Sequence, residues 1–157
     1  MSSQPSTILF VCTGNSCRSQ MAEGWARLLG GAKVHVASAG IVASGLNPLA
    51  VQVMREAGID ISRQISKEVT PRLIHAADIV VTVCANADRQ CPSIPKEKLK
   101  FHWPIYDPVS FDGDAPSQLA MFRVVRDEIR DHIVTLFTEH KLLDESALTR
   151  IRKVPRG

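Results

Sequence analysis

The stretch Val11-Cys12-Thr13-Gly14-Asn15-Ser16-Cys17-Arg18-Ser19 sets a cysteine and an arginine six positions apart around small, polar residues. It follows directly on the apolar run Ile8-Leu9-Phe10-Val11 and precedes a helical pattern. A loop of this composition curls so that its amide N–H groups converge on one centre. The next helix adds its positive end, and the arginine closes a fork over the same point. The centre suits a tetrahedral oxyanion with the Cys12 thiol beneath it, bound by Thr13, Gly14, Asn15, Ser16, Cys17 and Arg18. The same field favours the thiolate, so Cys12 is expected to be an ionised nucleophile near neutral pH. Gly14 permits a tight turn or a positive φ, and Asn15 also tolerates the left-handed region. Ser19 is placed to hydrogen-bond the Cys12 sulfur, with a helix N-cap as its alternative. Cys17 reads as core packing, with a redox role as the alternative.

Working outward, Thr7–Cys12 reads as a buried strand and Gln20–Leu29 as a helix stopped by Gly30-Gly31. Val34–Ala39 is a second strand. Asn47-Pro48 supplies an N-cap and a first-turn proline for a helix through Ala57, which Gly58 ends; Thr70-Pro71 repeats the signal for a helix through Ala77. Asp78–Cys84 is the strongest strand in the chain and Leu99–Trp103 a weaker one. A long helix over Pro116–His140 carries Leu119, Phe122, Val125, Ile129, Ile133 and Leu136 at three- and four-residue steps. Alternating strands and helices predict an α/β fold: a four-stranded parallel sheet, order 2-1-3-4, with helices on both faces. In that order strands 1 and 3 are neighbours at the switch point, where ligands bind beyond the carboxyl ends. Cys12 and Cys84, at the ends of those strands, then lie beside one anion pocket, and Asp107 reaches the same edge.

The 157 residues fit a single catalytic domain, 1–157, with a core over about 7–140 and a C-terminal tail over 141–157. A net charge of +3 suits a small anionic substrate and is too weak to argue for nucleic acid; part of it comes from Arg150, Arg152, Lys153 and Arg156 in the tail. No apolar run approaches the roughly 20 residues of a membrane span. Met1–Thr7 lacks a signal-peptide pattern, so the expectation is a cytoplasmic protein, monomeric and without membrane or nucleic-acid partners. Four cysteines in a reducing compartment read as reactive thiols. They form no C-x-x-C pair, and His35, His75, His102, His132 and His140 form no ligand-like cluster, so no metal site is expected. Trp25 and Trp103 are expected to pack against the sheet. Asp112 and Asp114 flank Gly113 in what reads as a turn.

The run Cys12 to Trp25 (CTGNSCRSQMAEGW) resembles the thioredoxin-coupled arsenate reductases, which share the low-molecular-weight tyrosine phosphatase fold. The resemblance continues at Ser38-Ala39-Gly40, Asn47-Pro48, Val81-Thr82-Val83-Cys84 with Asp88 and Cys91-Pro92, Asp107-Pro108 and Arg123–Ile129, spanning roughly residues 7 to 137. The loop alone fits reductase and phosphatase equally; Cys84 and Cys91 favour the reductase. The resemblance implies that Cys12 attacks arsenate (phosphate or sulfate being mimics) while Asp107 protonates the departing oxygen. Cys84 then attacks the adduct, releasing arsenite and leaving a Cys12–Cys84 disulfide. Cys91 resolves it, and thioredoxin reduces the Cys84–Cys91 disulfide, a scheme that implies no organic cofactor.

A helix from Cys84 to Cys91 would hold their Cα atoms about 10 Å apart. A disulfide tolerates no more than about 7 Å, so the segment must be looped or must unwind. Some relatives bind potassium at positions matching Asn15, Glu23, Ser38 and an acidic residue. The last is Lys67 here, whose ammonium is expected to replace the ion; a histidine of some relatives is Gln64. Two alternatives compete. A tyrosine phosphatase would carry aromatic residues after the Asp-Pro, where this chain has Val109-Ser110. A non-catalytic thiol-based arsenic or redox sensor would show no thioredoxin-dependent turnover.

Overall fold

The computed structural model describes residues 4–151. Four parallel strands form one sheet: β1 (Ser6–Cys12), β2 (Val34–Gly40), β3 (Ile79–Thr82) and β4 (Leu99–His102), in the order β2-β1-β3-β4. β1 and β3 are central and apolar on both faces, as strands covered by helices must be. β4 lies at an edge and is largely exposed.

The helices are α1 (Arg18–Gly30), α2 (Pro48–Glu56), α3 (Pro71–Ala76), α4 (Ala85–Gln90), α5 (Ala115–Glu139) and α6 (Glu145–Ile151). α1, α2, α5 and α6 form one packed group, while α3 and α4 contact β1. The expected caps are in place: Asn47 Oδ1 accepts from the Leu49 amide at 2.8 Å, and Thr70 Oγ1 from the Leu73 amide at 3.2 Å. Asp114, read as a turn residue, caps α5 by accepting from the Ser117 amide. Trp103 lies 6.0 Å from Phe10 of the sheet, and Trp25 is buried in the same core, donating from Nε1 to the Arg126 carbonyl of α5 at 3.0 Å.

Two expectations need correction. β3 stops at Thr82, so Cys84 does not end a strand; it is the N-cap of α4, whose Sγ accepts from the Ala87 amide at 3.3 Å. The second concerns the tail from Lys141, read only as an appendage to the core, whose described part packs on the domain. The Asp144 amide donates to the carbonyl of Leu29 near the C-terminus of α1 at 2.6 Å, Leu142 and Ala147 are buried, and α6 packs on α1. A carbonyl left open near the Gly30-Gly31 turn is thereby satisfied. Arg152, Lys153 and Arg156, and Met1 to Ser3 of the N-terminal reading, lie outside the described residues.

Candidate active site

β1 delivers Cys12 to the carboxyl edge of the sheet, opposite Gly40 of β2. The chain then curls through residues 13–17 before α1 begins at Arg18. Asn15 adopts the left-handed conformation at φ 48°, and its amide donates to the Cys12 sulfur at 3.2 Å. The positive φ falls on Asn15, not on Gly14. Gly14 serves close approach instead, because a Cβ there would sit 2.8 Å from Ser44 Oγ. Gly40 meets the loop from the other side: a Cβ on it would lie 2.6 Å from the Asn15 nitrogen and 2.8 Å from the Gly14 carbonyl carbon.

Ser19 lies within α1, so it is not the cap; Cys17 is. Its hydroxyl sits 2.8 Å from Cys12 Sγ. Asn15 Oδ1 accepts from the Lys67 amide at 2.9 Å and from Gln20 Nε2 at 3.1 Å, so Nδ2 faces Ser19 and Ser38, donating at 2.8 and 3.0 Å. With one lone pair taken by Asn15, the Ser19 hydroxyl keeps its proton free to turn to the sulfur. The Asn15 amide and this hydroxyl are the two polar groups closest to the Cys12 sulfur. Gln64 Nε2 extends the chain outward by donating to Gln20 Oε1 at 2.8 Å.

Arg18 is nine-tenths buried, with Nη1 donating to the Ile105 carbonyl at 3.1 Å and Nη2 3.8 Å from Asp107 Oδ2. Asp107 is more exposed and held by the Val109 amide on Oδ1 at 3.0 Å and by Ser110 Oγ on Oδ2 at 3.2 Å. Ser16 packs beside Cys17, whose Sγ is 3.8 Å from its hydroxyl. Burial pushes the Cys17 thiol up to about 12, so it is a neutral packing group at physiological pH.

The second thiol meets the first through Thr13, whose Oγ1 lies 3.2 Å from Cys84 Sγ. Cys91, the C-cap of α4, is half-buried, and burial raises its thiol above the usual range. Asp88 ties α4 to the sheet by accepting from Lys100 Nζ and Thr82 Oγ1, each at 3.0 Å. Lys100 first, and then the Thr82 hydroxyl, hold its carboxyl below the ordinary value.

The expected cation replacement falls on a different residue. Glu23 is buried; Oε1 accepts from Ser38 Oγ at 2.6 Å and Oε2 from Arg27 Nη2 at 2.6 Å and Nε at 3.1 Å. Arg27, one helical turn on, is the cation that reaches this carboxylate, while Lys67 enters through its backbone amide and makes no ion pair with Glu23. With Glu23 covered and Asn15 Oδ1 engaged by two donors, these residues do not fit a potassium ion. Among the described residues no group of three or more His, Cys, Asp or Glu side chains could hold a metal.

Sequence reasoning missed Arg27, Gln20 and the α4 contacts. The Glu23/Arg27 spacing of i, i+4 on a helix was the available signal for the first. No pattern marks Gln20, whose role depends on the loop's folded shape.

The site sits in a recognisable setting. The profile of the low molecular weight phosphotyrosine protein phosphatases matches residues 7–148. The arsenate reductase of Bacillus licheniformis is 52% identical over 127 residues, 81% of this chain and 91% of that protein. A solved arsenate reductase in its phosphate-binding state superposes with a TM-score of 0.68 at 33% identity, covering 85% of this chain and 98% of that one. The thioredoxin-dependent arsenate reductase of Corynebacterium glutamicum superposes at 0.73 with 26% identity, over 90% of this chain and 65% of that one. Sheet order, loop and coverage agree: the chain belongs to the low molecular weight phosphotyrosine protein phosphatase family and, within it, groups with the arsenate reductases.

Proposed function

We propose that this enzyme reduces arsenate to arsenite through three thiols in succession, Cys12, Cys84 and Cys91, and that thioredoxin reduces the final disulfide. The observation that carries the reading is the placement of Cys84 against Thr13, the residue after Cys12, at the head of a short helix that ends on Cys91. A phosphatase needs one thiolate and then water. Reducing As(V) to As(III) requires two electrons, and two sulfurs supply them by forming a disulfide.

Arsenate enters the loop, its oxygens facing the loop amides and the Arg18 fork. Cys12 Sγ bonds to arsenic, and one oxygen departs as water with a proton from Asp107, whose carboxyl faces Arg18. Cys84 Sγ then attacks Cys12 Sγ. The S–S bond forms, the S–As bond breaks, and its electron pair stays on arsenic, which leaves as arsenite. Cys91 attacks Cys84, the Cys12 thiolate departs into its two hydrogen bonds, and the Cys84–Cys91 disulfide remains. α4 has to unwind for that bond to close.

Two relatives support the substrate and the reductant, since one is an arsenate reductase seen with phosphate and another a thioredoxin-dependent one. No described helix is long and apolar enough to cross a membrane. Weak phosphatase activity is expected to accompany the reductase, because loop and first thiol suffice for it. The test is arsenate-dependent NADPH consumption with thioredoxin and thioredoxin reductase. Cys12→Ser, Cys84→Ser and Cys91→Ser should each abolish sustained turnover; sustained turnover by any of the three refutes the relay.

A further inference from the structure

The Cys84 sulfur has two hydrogen-bonding neighbours. The Ala87 amide donates to it at 3.3 Å, and Thr13 Oγ1 lies 3.2 Å away. A hydroxyl rotates, so its value to the sulfur depends on what else it meets. Thr13 meets Asn86, whose Nδ2 donates to Oγ1 at 3.2 Å. At its other end that amide accepts from Gln90, whose Nε2 donates to Asn86 Oδ1 at 2.5 Å. The Asn86 amino group therefore faces Thr13. With one lone pair occupied by Asn86, the Thr13 hydroxyl keeps its proton free for the sulfur 3.2 Å away.

We propose that Asn86, held by Gln90, is a positioning residue for the reduction step: it directs the Thr13 hydroxyl proton onto Cys84 Sγ and stabilises the thiolate that attacks Cys12. The assignment rests on the reductase reading. In this step the Cys84–Cys12 bond forms, the Cys12–arsenic bond breaks, and arsenic takes the electron pair. Thr13 follows Cys12 in the chain, so the donor stands where the two sulfurs must meet. Asn86 and Gln90 sit on α4 at helical i, i+4 spacing. Their contact lasts only while α4 is folded. The unwinding that lets Cys91 reach Cys84 removes both, so the directing contact is present for the attack by Cys84 and gone once that sulfur has reacted.

The test compares Asn86→Ala, Thr13→Val and the double variant by single-turnover arsenite release from reduced protein. Competition by phosphate is measured alongside, as a probe of the loop that needs no Cys84. Asn86→Ala should slow release about fivefold, the scale of one hydrogen bond. The inhibition constant for phosphate should shift less than about twofold. In the Thr13→Val background Asn86→Ala should cost nothing more, because its path to the sulfur is gone. Gln90→Ala, at an exposed position, should give a smaller loss in the same direction and serves if the double variant does not fold. Equal losses in both backgrounds, a phosphate constant that rises in step with the rate loss, or no loss at all would overturn the assignment. Wild-type protein that releases no arsenite defeats the reductase reading and this assignment with it. Wild-type protein that does, with additive variants, defeats this assignment alone.

Discussion

Replacing Gly40 by alanine isolates what holds the anion loop in place. The added Cβ would lie 2.6 Å from the Asn15 nitrogen and 2.8 Å from the Gly14 carbonyl carbon, and would also press on the Val42 carbonyl oxygen. All three neighbours are backbone, with no rotamer to relieve them. Ordinary contact begins near 3.4 Å, so the loop must retreat by about 0.8 Å. Cys12 cannot follow, because β1 register fixes it opposite Gly40. A retreat of that size along the N–S line would stretch the bond from the Asn15 amide to the sulfur from 3.2 Å to about 4 Å, the limit of an N–H···S contact. A hydrogen bond to a charged acceptor contributes about 1.5–3 kcal/mol. The expected loss in kcat/KM for arsenate is therefore about 10- to 100-fold. Overpacking should also cost about 1–3 kcal/mol of stability, a fall in Tm of about 5 °C. Gly24→Ala is the control: its Cβ would meet side chains, Ile61 Cγ2 at 2.7 Å and Met54 Cε at 3.1 Å, away from the loop. It should alter Tm and spare kcat/KM. Coupled kinetics with calorimetry on both variants decides the matter. A Gly40→Ala enzyme within about twofold of wild type would refute the geometric argument.

Arg18→Lys should lower kcat/KM about 100-fold despite keeping the charge, because an ammonium cannot hold the Ile105 carbonyl and fork an oxyanion together; steady-state kinetics checks it. Exchanging sodium chloride for potassium chloride at constant ionic strength should leave wild-type activity unchanged, since Arg27 covers Glu23. Arg27→Ala should lower Tm, with potassium restoring part of the loss, and strong activation of the wild type by potassium would contradict the assignment. Asp88 makes acid the lever on α4. Its folded value lies below the unfolded one, so its contribution is complete above about pH 4 and vanishes as pH falls through the depressed value. Hydrogen exchange should therefore show residues 85–91 losing protection in acid before the sheet does. At neutral pH the same segment should be protected in the reduced protein and open in the oxidised one; equal protection would count against unwinding.

Sheet order, three of the helix starts and the loop were legible in the sequence because each rests on local chemistry. Asn47-Pro48 and Thr70-Pro71 announce their helices through a side-chain acceptor and a preset φ, and Ile8–Val11 has the unbroken apolar character of a strand covered on both faces. α4 was not legible. Ala85–Gln90 buries only Ala87, so it lacks apolar periodicity, and its cap is a cysteine, outside the usual set. α6 was hidden for a similar reason: a seven-residue helix whose docking depends on the open carbonyl of Leu29, distant in sequence. Within the site, Cys12, Arg18 and Ser19 could be placed from spacing alone. Lys67 was given a role that Arg27 fills, because alignment to relatives names a position and says nothing of which nearby cation reaches the carboxylate.

The features that hid α4 are those the proposed relay would require. Six residues are far below the length at which a helix is stable alone in water, about 12–15. With one buried side chain, α4 owes little of its stability to apolar packing; it stands on polar ties, Asp88 to Lys100 and Thr82, and Asn86 to Thr13. Such ties give a defined reduced state at modest free energy, and each exposed ion pair is worth less than about 1 kcal/mol. A longer helix with an apolar face would hold Cys91 about 10 Å from Cys84 in Cα terms and oppose the disulfide by several kcal/mol. A loop without helical order would bring no amide to the Cys84 sulfur. In the proposed relay the segment has to be stable enough to activate Cys84 and weak enough to yield to Cys91, and that balance would separate a two-electron reductase from a phosphatase built on the same anion loop.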